Sequence, residues 1–382
     1  MYIRLIRIII ILSLVTMGNI SPGQSTLEII YIGTYTAPGK PGLFVFKFNR
    51  KSGDLELIQE VGGMESPSYL EINPNGKFLY SANRSTVIDD KQWGSISSYS
   101  IDQLSGRITH LNDQPSFGSE SCHVSIDSKG RLVFVANYTT GNVSVFPIIP
   151  DGSLGTISES VQHTGSSIDK SRQEGPHAHC TTVSPDDKYL YATDLGIDKI
   201  KSYRIDYENN KLIPIPESDG LVKKGAGPRH FTIHTNEKYA YVIEELSSSI
   251  TFFDYNKEDG SLTERQRIST IPEGFNDINY CADIHISPSG KYLYGSNRGH
   301  NSLAIYSINQ EDGMLSIVDY QSTFGEWPRN FLIDPNGEFV FVANQNSDNI
   351  VVFKLDNTSG KLKKTGEIND LPKPVCIKHL KL

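Results

Sequence analysis

A segment of about fifty residues recurs along this chain, and this repeat limits the fold more than any other feature of the sequence. Each copy has a turn of Pro, Asn, Asp or Gly, then an aromatic or apolar residue that opens an apolar run with a polar end. Clear copies begin at Asn73, Ser184, Ser287 and Asp334, and weaker ones at Asp127 and Thr235. The aligned positions that follow these turns lie 47 to 57 residues apart, at Phe78, Leu132, Tyr189, Tyr239, Tyr292 and Phe339. A period of this length is typical of propellers and solenoids.

A second apolar run and a hairpin turn follow each copy. Residues 143–146 precede Asp151 and Gly152, and residues 250–253 precede Asp259 and Gly260. Alternation with period two, rich in β-branched and aromatic residues, indicates strands rather than helices. Four short strands in fifty residues correspond to one blade of a propeller. We therefore predict an all-β, seven-bladed β-propeller.

The two ends of the chain supply the parts of one split blade. Near the amino terminus, residues 29–33 and 43–46 read as outer strands without an inner partner. Near the carboxyl terminus, residues 374–379 match an inner strand such as residues 67–70. We predict that the terminal strands pair and close the ring, which leaves no open sheet edge.

The first 25 residues have the pattern of a targeting segment rather than of a part of the fold. Arg4 and Arg7 precede an apolar run at 8–15, and small and polar residues follow as far as Ser25. This order is that of a signal peptide, and the run is too short to span a bilayer. We predict a signal peptide at 1–25, a propeller domain at 26–382, and export to the periplasm or the cell exterior without a remaining membrane anchor.

The net charge limits the possible binding partners, and the positions of the cysteines bear on whether disulfides form. The net charge is −8, whereas nucleic-acid binding needs a basic face, so we expect no nucleic-acid partner. The four cysteines fall in different repeats, at Cys122, Cys180, Cys281 and Cys376. Export permits disulfides, but we favour four buried thiols that act as small apolar residues.

Polar side chains concentrate at two places in each repeat: the start of the first strand and the end of the second. Because these strands are antiparallel neighbours, the two places share one rim of the channel, and we predict a polar ring there. The candidate residues at strand starts are His177, His179, Arg229, His230, Arg329 and Asn330, and those at strand ends are Asp194, Glu244, Arg298 and Gln345.

Several of these residues allow two interpretations. Most repeats have Asn where Glu244 stands, so Glu244 either pairs structurally with Arg229 or Arg298 or acts as an acid–base group. The arginines suit an anion, since guanidinium binds carboxylate or phosphate bidentately, but they could equally neutralise nearby Asp and Glu. His177 and His179 have the spacing of metal ligands on a strand, yet no Cys or carboxylate adjoins them. We predict neither a metal nor a cofactor.

The motifs at the rim resemble a known family. They are Gly175-Pro176-His177-Ala178-His179, Asp194-Leu195-Gly196, Gly227-Pro228-Arg229-His230, Glu244-Glu245-Leu246 and Ser296-Asn297-Arg298-Gly299-His300. As a set they are similar to the seven-bladed lactonase propellers, which include bacterial 6-phosphogluconolactonases and fungal carboxy-cis,cis-muconate cyclases. The resemblance covers nearly all of the chain after the signal peptide.

The resemblance implies a small-molecule lactone site at the channel mouth. Its catalytic residues would be His179 (or His177), Arg229, Glu244 (or Glu245) and Arg298, with His177, Asp194, His230, Arg329, Asn330 and Gln345 as substrate-binding residues. The reaction expected is hydrolysis of a sugar lactone of the 6-phosphoglucono-1,5-lactone type, with activated water and arginines that hold the oxyanion.

Two alternatives stay open at this point. One is an exported, non-catalytic propeller that binds a protein or a glycan, because a fold alone does not prove activity. The other is a calcium-dependent lactonase, or one with muconate-cyclase-like activity. Its oxygen ligands would come from Glu244, Asn297 and Asp194.

Overall fold

The computed structural model describes residues 27–36, 39–88 and 91–382, and nearly all of its regular structure is β-strand. The predicted signal peptide at 1–25 lies outside the described residues. The strands are β1 (Glu28–Thr34), β2 (Leu43–Asn49), β3 (Asp54–Val61), β4 (Pro67–Ile72), β5 (Phe78–Ile88), β6 (Lys91–Ile101), β7 (Ile108–Pro115), β8 (Ser121–Ile126), β9 (Leu132–Asn137), β10 (Asn142–Pro147), β11 (Glu159–Gln162), β12 (Ala178–Val183), β13 (Tyr189–Asp194), β14 (Lys199–Asp206), β15 (Lys211–Pro214), β16 (Gly220–Leu221), β17 (Pro228–Ile233), β18 (Tyr239–Glu244), β19 (Ser249–Tyr255), β20 (Leu262–Ser269), β21 (Tyr280–Ile286), β22 (Tyr292–Arg298), β23 (Ser302–Ile308), β24 (Leu315–Ser322), β25 (Pro328–Ile333), β26 (Phe339–Asn344), β27 (Asn349–Leu355), β28 (Leu362–Ile368) and β29 (Pro374–Lys381). A short 3-10 helix occupies Pro216–Ser218.

The strands form seven antiparallel sheets, one for each blade of a propeller. Their strand orders are β29-β1-β2-β3, β4-β5-β6-β7, β8-β9-β10-β11, β12-β13-β14-β15 (with β16 beside β14), β17-β18-β19-β20, β21-β22-β23-β24 and β25-β26-β27-β28. The all-β, seven-bladed prediction is confirmed. Within the described residues, no helix has the length and apolar character needed to span a bilayer.

The chain ends close the ring as predicted. Strand β29 is the inner strand of the blade that β1 begins, and the two pair antiparallel, with Tyr31 opposite Lys378 and Ile32 opposite Ile377. The first blade is therefore assembled from both ends of the chain, and this pairing closes the ring of blades.

Buried tyrosines tie each of several blades to the next. A tyrosine on the second strand donates its hydroxyl to the carbonyl of a hairpin glycine in the following blade. These pairs are Tyr31–Gly106, Tyr80–Gly152, Tyr191–Gly260, Tyr241–Gly313 and Tyr294–Gly360, at 2.7–2.9 Å. The hairpin position needs glycine: Gly152 has φ +88, and a Cβ there would lie 2.1 Å from the Phe78 ring. The repeated turn residues thus serve both the hairpin and the contact between blades.

A β-bulge near the start of each inner strand shapes the channel mouth. In β12 the register shifts between Ala178 and Cys180, so that His179 is an extra residue opposite the neighbouring strand. The same shift makes Arg229 the extra residue in β17 and Arg329 the extra residue in β25. Such bulges redirect side chains and are frequent beside functional sites. Here they bring a polar residue to the rim of the channel.

The four cysteines are buried free thiols, one in each of four blades. This confirms the interpretation of Cys122, Cys180, Cys281 and Cys376 as small core residues. Burial raises the pKa of Cys122 and Cys281 to about 12, so these thiols stay protonated and unreactive at neutral pH.

Candidate active site

A cavity of about 330 Å³ lies where the inner strands begin and their neighbours end. Its walls are Arg84, Cys122, Tyr138, Arg172, His179, Glu245, Tyr280, Arg298, Trp327 and Arg329. The volume is at the lower end of the range for small-molecule sites, roughly 300–1,000 Å³. The cavity therefore has room for a small molecule, and four of its ten wall residues are arginines.

Glu245 is the centre of the charged network in this cavity. Its Oε1 accepts a hydrogen bond from Arg172 Nη2 at 2.5 Å, and its Oε2 accepts from Arg229 Nε at 3.0 Å. Arg298 Nη2 lies 2.7 Å from the same Oε2. One carboxylate thus holds three guanidinium groups from three different blades or loops. It fixes their orientation and leaves none of its oxygens without a partner.

The surroundings of Glu245 keep it ionised. Burial by itself would raise its pKa, but Arg298, Arg229 and Arg172 together hold the pKa well below the usual value of 4.5. A carboxylate stabilised to this extent is a poor proton acceptor at neutral pH. Glu245 is therefore suited to positioning the arginines rather than to removing a proton from water.

Arg298 is buried and held by several partners besides Glu245. Its Nη2 donates to the Cys281 carbonyl at 2.8 Å, and its guanidinium lies 5.5 Å from the centre of the Trp327 ring. Burial lowers its pKa to about 10, which still leaves it charged at neutral pH. It is a fixed positive charge on the cavity wall.

His179 lines the cavity and has no hydrogen-bond partner for its side chain within the part of the chain that the structure describes. Its Nδ1 is buried and unpaired, and its ring packs edge-on against Tyr138 and His230. Burial, with the nearby charge of Arg229, lowers its pKa well below 6.5. The imidazole is therefore neutral at neutral pH, and because Nδ1 is closed off from solvent, Nε2 is the ring nitrogen that can interact with water or a ligand.

A second hydrogen-bond network holds Arg229 on the side away from Glu245. Burial lowers the pKa of His230 to about 4, so its ring is neutral. In the tautomer that satisfies both neighbours, Nδ1 donates to Asp283 Oδ1 at 2.7 Å and Nε2 accepts from Arg229 Nη1 at 3.1 Å. Asn330 Nδ2 also donates to Asp283, at 2.5 Å. Arg229 is thus held between Glu245 and His230, with a third bond to the Ala282 carbonyl.

Comparison with known proteins decides the family. The family model described as Lactonase, 7-bladed beta-propeller, matches residues 29–379. The chain belongs to that family. A 6-phosphogluconolactonase of Bacillus subtilis is 37% identical over 93% of this chain and 99% of its own length. One of Formosa agariphila is 39% identical over 88% of this chain and 94% of its own length.

Solved structures agree with this assignment. The periplasmic gluconolactonase PpgL of Pseudomonas aeruginosa has a TM-score of 0.86 and 30% identity, covering 93% of this chain and 99% of its own. The protein is thus an enzyme of a lactonase family, which places it among the carboxylic ester hydrolases. The catalytic alternative is favoured over the non-catalytic binding propeller.

Only some of the predicted site residues lie at the cavity. His179, Arg298 and Arg329 line it, and Arg229 and His230 lie directly behind the wall. Asn330 belongs to the supporting network, since its Oδ1 also accepts from the Ile377 amide at 2.7 Å. Their roles in catalysis or substrate binding remain predictions.

Glu244 is not in the cavity of the lactonase. It is fully buried in the blade and accepts hydrogen bonds from Thr251 Oγ1 at 2.6 Å, Ser247 Oγ at 2.7 Å and Arg267 Nε at 2.9 Å. The acidic wall residue is Glu245, the neighbour that the motif match also allowed. Glu244 does form a structural ion pair, but with Arg267 rather than with Arg229 or Arg298.

Three other predicted residues lie outside the cavity wall. Asp194 is buried and bonded to His163 Nδ1 at 2.6 Å and to the His177 amide at 2.7 Å. His177 stacks on Tyr138 with ring centres 4.6 Å apart, which supports the wall from outside. Gln345 bonds to Asn346 and the backbone of Trp327. None of the three side chains is part of the wall.

The residues proposed for calcium do not come together. Glu244, Asn297 and Asp194 lie in three different blades, and each is engaged with its own neighbours: Asn297 donates to the Thr270 carbonyl at 2.6 Å. Across residues 27–36, 39–88 and 91–382 there is no group of three His, Cys, Asp or Glu side chains placed to hold a metal ion.

Six wall residues are not among the predicted site residues: Arg84, Cys122, Tyr138, Arg172, Tyr280 and Trp327. Two of them follow a rule that the repeat contains. Arg84 and Tyr138 come directly after the aligned Asn83 and Asn137, just as Arg298 follows Asn297 and Glu245 follows Glu244. In these four blades the residue after the aligned position lines the cavity, so a shift of one residue in the alignment identifies four wall positions, whereas Leu195 and Gln345, which follow Asp194 and Asn344, are not part of the wall. Arg172 lies in an irregular loop and carries no such signal.

Proposed function

We propose that the protein hydrolyses the ring ester of a sugar δ-lactone, with 6-phosphoglucono-1,5-lactone as the substrate. Two curated relatives that match most of the chain carry the name 6-phosphogluconolactonase. The observation that carries the proposal is the unpaired, neutral imidazole of His179 in a wall otherwise rich in arginine.

In the proposed reaction, His179 takes a proton from water as the water oxygen attacks the lactone carbonyl. The carbonyl oxygen becomes an oxyanion, and the fixed guanidinium groups of Arg172 and Arg298 stabilise it; preorganised positive charge of this kind often supplies a few kcal/mol per donor. The intermediate then collapses, the ring C–O bond breaks, and the leaving oxygen takes the proton back from His179. The product is a hydroxy acid, and one water molecule is consumed.

Glu245 acts in this scheme as a positioning residue. Both of its oxygens are occupied by guanidinium groups, so it does not compete with His179 for the proton. A weakly basic imidazole is sufficient, because sugar δ-lactones already hydrolyse in water and a positioned base contributes about 10²–10⁴-fold.

The test is hydrolysis of 6-phosphoglucono-1,5-lactone by the purified protein, after subtraction of the spontaneous rate. We expect His179→Asn to lower kcat/KM by about 10²-fold or more. His110→Asn is the control, since His110 is exposed on outer strand β7. Equal activity in the His179 variant would refute its role as the base.

The pH profile provides a second reading of the same experiment. The base must be unprotonated, and burial lowers the pKa of His179 well below 6.5. Activity should therefore persist as the pH falls through 6.5 and decline only in more acidic solution. An inflection at or above pH 6.5 would point to a different group.

We also infer that the protein is exported after removal of residues 1–25. The support is the order of Arg4, Arg7 and the apolar run at 8–15, together with the word periplasmic in the name of the Pseudomonas aeruginosa relative. The intact mass of the protein recovered outside the cytoplasm should correspond to a chain that begins near Thr26; a full-length cytoplasmic chain would refute export.

A further inference from the structure

Arg329 differs from the other arginines of the cavity because it has no acidic partner. Among the described residues it makes no hydrogen bond and no ion pair, and its guanidinium carbon lies 5.1 Å from the centre of the Tyr35 ring. Arg229 and Arg298, by contrast, share Glu245. An unpaired guanidinium on a cavity wall retains its full capacity to bind an anion.

Arg84 approaches the same tyrosine. Its guanidinium carbon lies 5.0 Å from the centre of the Tyr35 ring, and its Nη1 donates to the Tyr35 hydroxyl at 2.9 Å. Two positive groups therefore converge on one ring at the edge of the cavity. Burial lowers the pKa of Arg329, and the charges of Arg229 and Arg84 add to this effect, while Tyr35 and Glu245 offset part of it; a lowered pKa is expected where like charges gather.

The carboxylates in this region are already occupied. Glu120 pairs with Arg84 and accepts from the Thr139 hydroxyl at 2.9 Å, and Glu245 is held by three arginines. The five guanidinium groups here outnumber the three carboxylates, those of Glu120, Glu245 and Asp283, and leave two positive charges in excess, in a chain whose net charge is −8. The five are those of Arg84, Arg172, Arg229, Arg298 and Arg329.

We propose that Arg329, Arg84 and Tyr35 form a subsite for an anionic group at the chain end of the lactone, a phosphate or a carboxylate. The Glu245 side of the cavity holds the reacting ester, and the Arg329 side selects substrates that carry a negative charge. This proposal rests on the proposed lactone hydrolysis and adds to it the residues that recognise the charged end of the substrate.

The experiment compares three lactones: 6-phosphoglucono-1,5-lactone, glucaro-1,4-lactone with its terminal carboxylate, and neutral glucono-1,5-lactone. We expect Arg329→Gln to lower kcat/KM for the preferred anionic lactone about 10- to 100-fold, mainly through KM, because one charge-assisted contact is lost. For the neutral lactone the change should stay within about threefold. Whichever anionic lactone loses more identifies phosphate or carboxylate as the native group.

Two further variants make the result specific. Arg329→Lys keeps the charge and should recover part of the loss, whereas a purely structural defect would affect all three lactones alike. Arg265→Gln removes an exposed arginine on outer strand β20 and should change none of the rates. Equal losses on the anionic and neutral lactones, or no loss on any, would overturn the subsite.

Failure of the proposed function would be recognised separately. If the wild-type protein hydrolyses none of the three lactones, calorimetric binding of 6-phosphogluconate and of inorganic phosphate still tests the subsite. Binding that Arg329→Gln weakens about tenfold or more would support it in the absence of catalysis. Binding of equal strength in both proteins, or none in either, would refute it.

Discussion

Glu244 and Glu245 are adjacent in the chain, yet they belong to two regions with different chemistry. Glu244 points into its blade, where it meets one arginine, Arg267, and two hydroxyl groups. Glu245 points to the channel mouth, where it meets three arginines. Both carboxylates are almost completely buried, so burial alone does not distinguish a structural acid from one in the site.

The difference follows from the geometry of the strand end. Glu244 is the last residue of β18 and Glu245 is the first residue of the turn that follows, and Glu244 takes the strand face that other blades fill with asparagine. Asn83 bridges to Ser97 and Asn297 to the Thr270 carbonyl; Glu244 bridges instead to Arg267. Glu244 therefore stands in place of asparagine because it pairs with Arg267, which lies on β20, the outer strand of the same blade.

The sharpest test of this comparison is a pair of matched substitutions. Glu245→Gln should lower kcat about 10²-fold or more, since Arg172 and Arg298 lose the charge that orients them. Glu244→Gln should leave kcat/KM within about threefold and should reduce the free energy of unfolding by about 1–3 kcal/mol, because Arg267 is then left without its partner. Lactone hydrolysis and denaturant unfolding measure the two effects.

Both variants must be assayed at a temperature where both are folded, because Glu245→Gln also leaves buried arginines unpaired. Glu245→Asp serves as the conservative control and should retain part of the activity. An equal loss of kcat in the Glu244 and Glu245 variants would contradict the separation of the two regions.

The fold could be predicted from the sequence because its determinants are local and repeated. The turn before Tyr189 and its copies set the strand boundaries, and the match between residues 374–379 and an inner strand was enough to predict the closure of the ring. Each of these signals lies within one repeat, so no knowledge of neighbouring blades was needed.

The site was harder to predict because its contacts join different blades. The alignment identified the right strand ends, but it selected Glu244, the last residue of β18, where the wall residue is Glu245, the first residue of the turn that follows. Arg172 comes from the irregular loop before β12, which belongs to no repeat. Its position beside Glu245 depends on the path of that loop, which the pattern of the sequence does not encode.

The smaller and more selective test concerns the arginine partner of each glutamate. Arg172 and Arg267 are similarly accessible, with side chains 30% and 27% exposed, so loss of packing should be similar in both variants. Arg172→Ala should lower kcat/KM about 10- to 100-fold, because a guanidinium is lost from the cavity wall. Arg267→Ala should change kcat/KM by less than about twofold and should lower the melting temperature, since Glu244 is then buried without a cation. If Arg267→Ala impaired hydrolysis as much as Arg172→Ala, the blade interior at Glu244 would have to be coupled to the site, and the two regions could not be treated as separate.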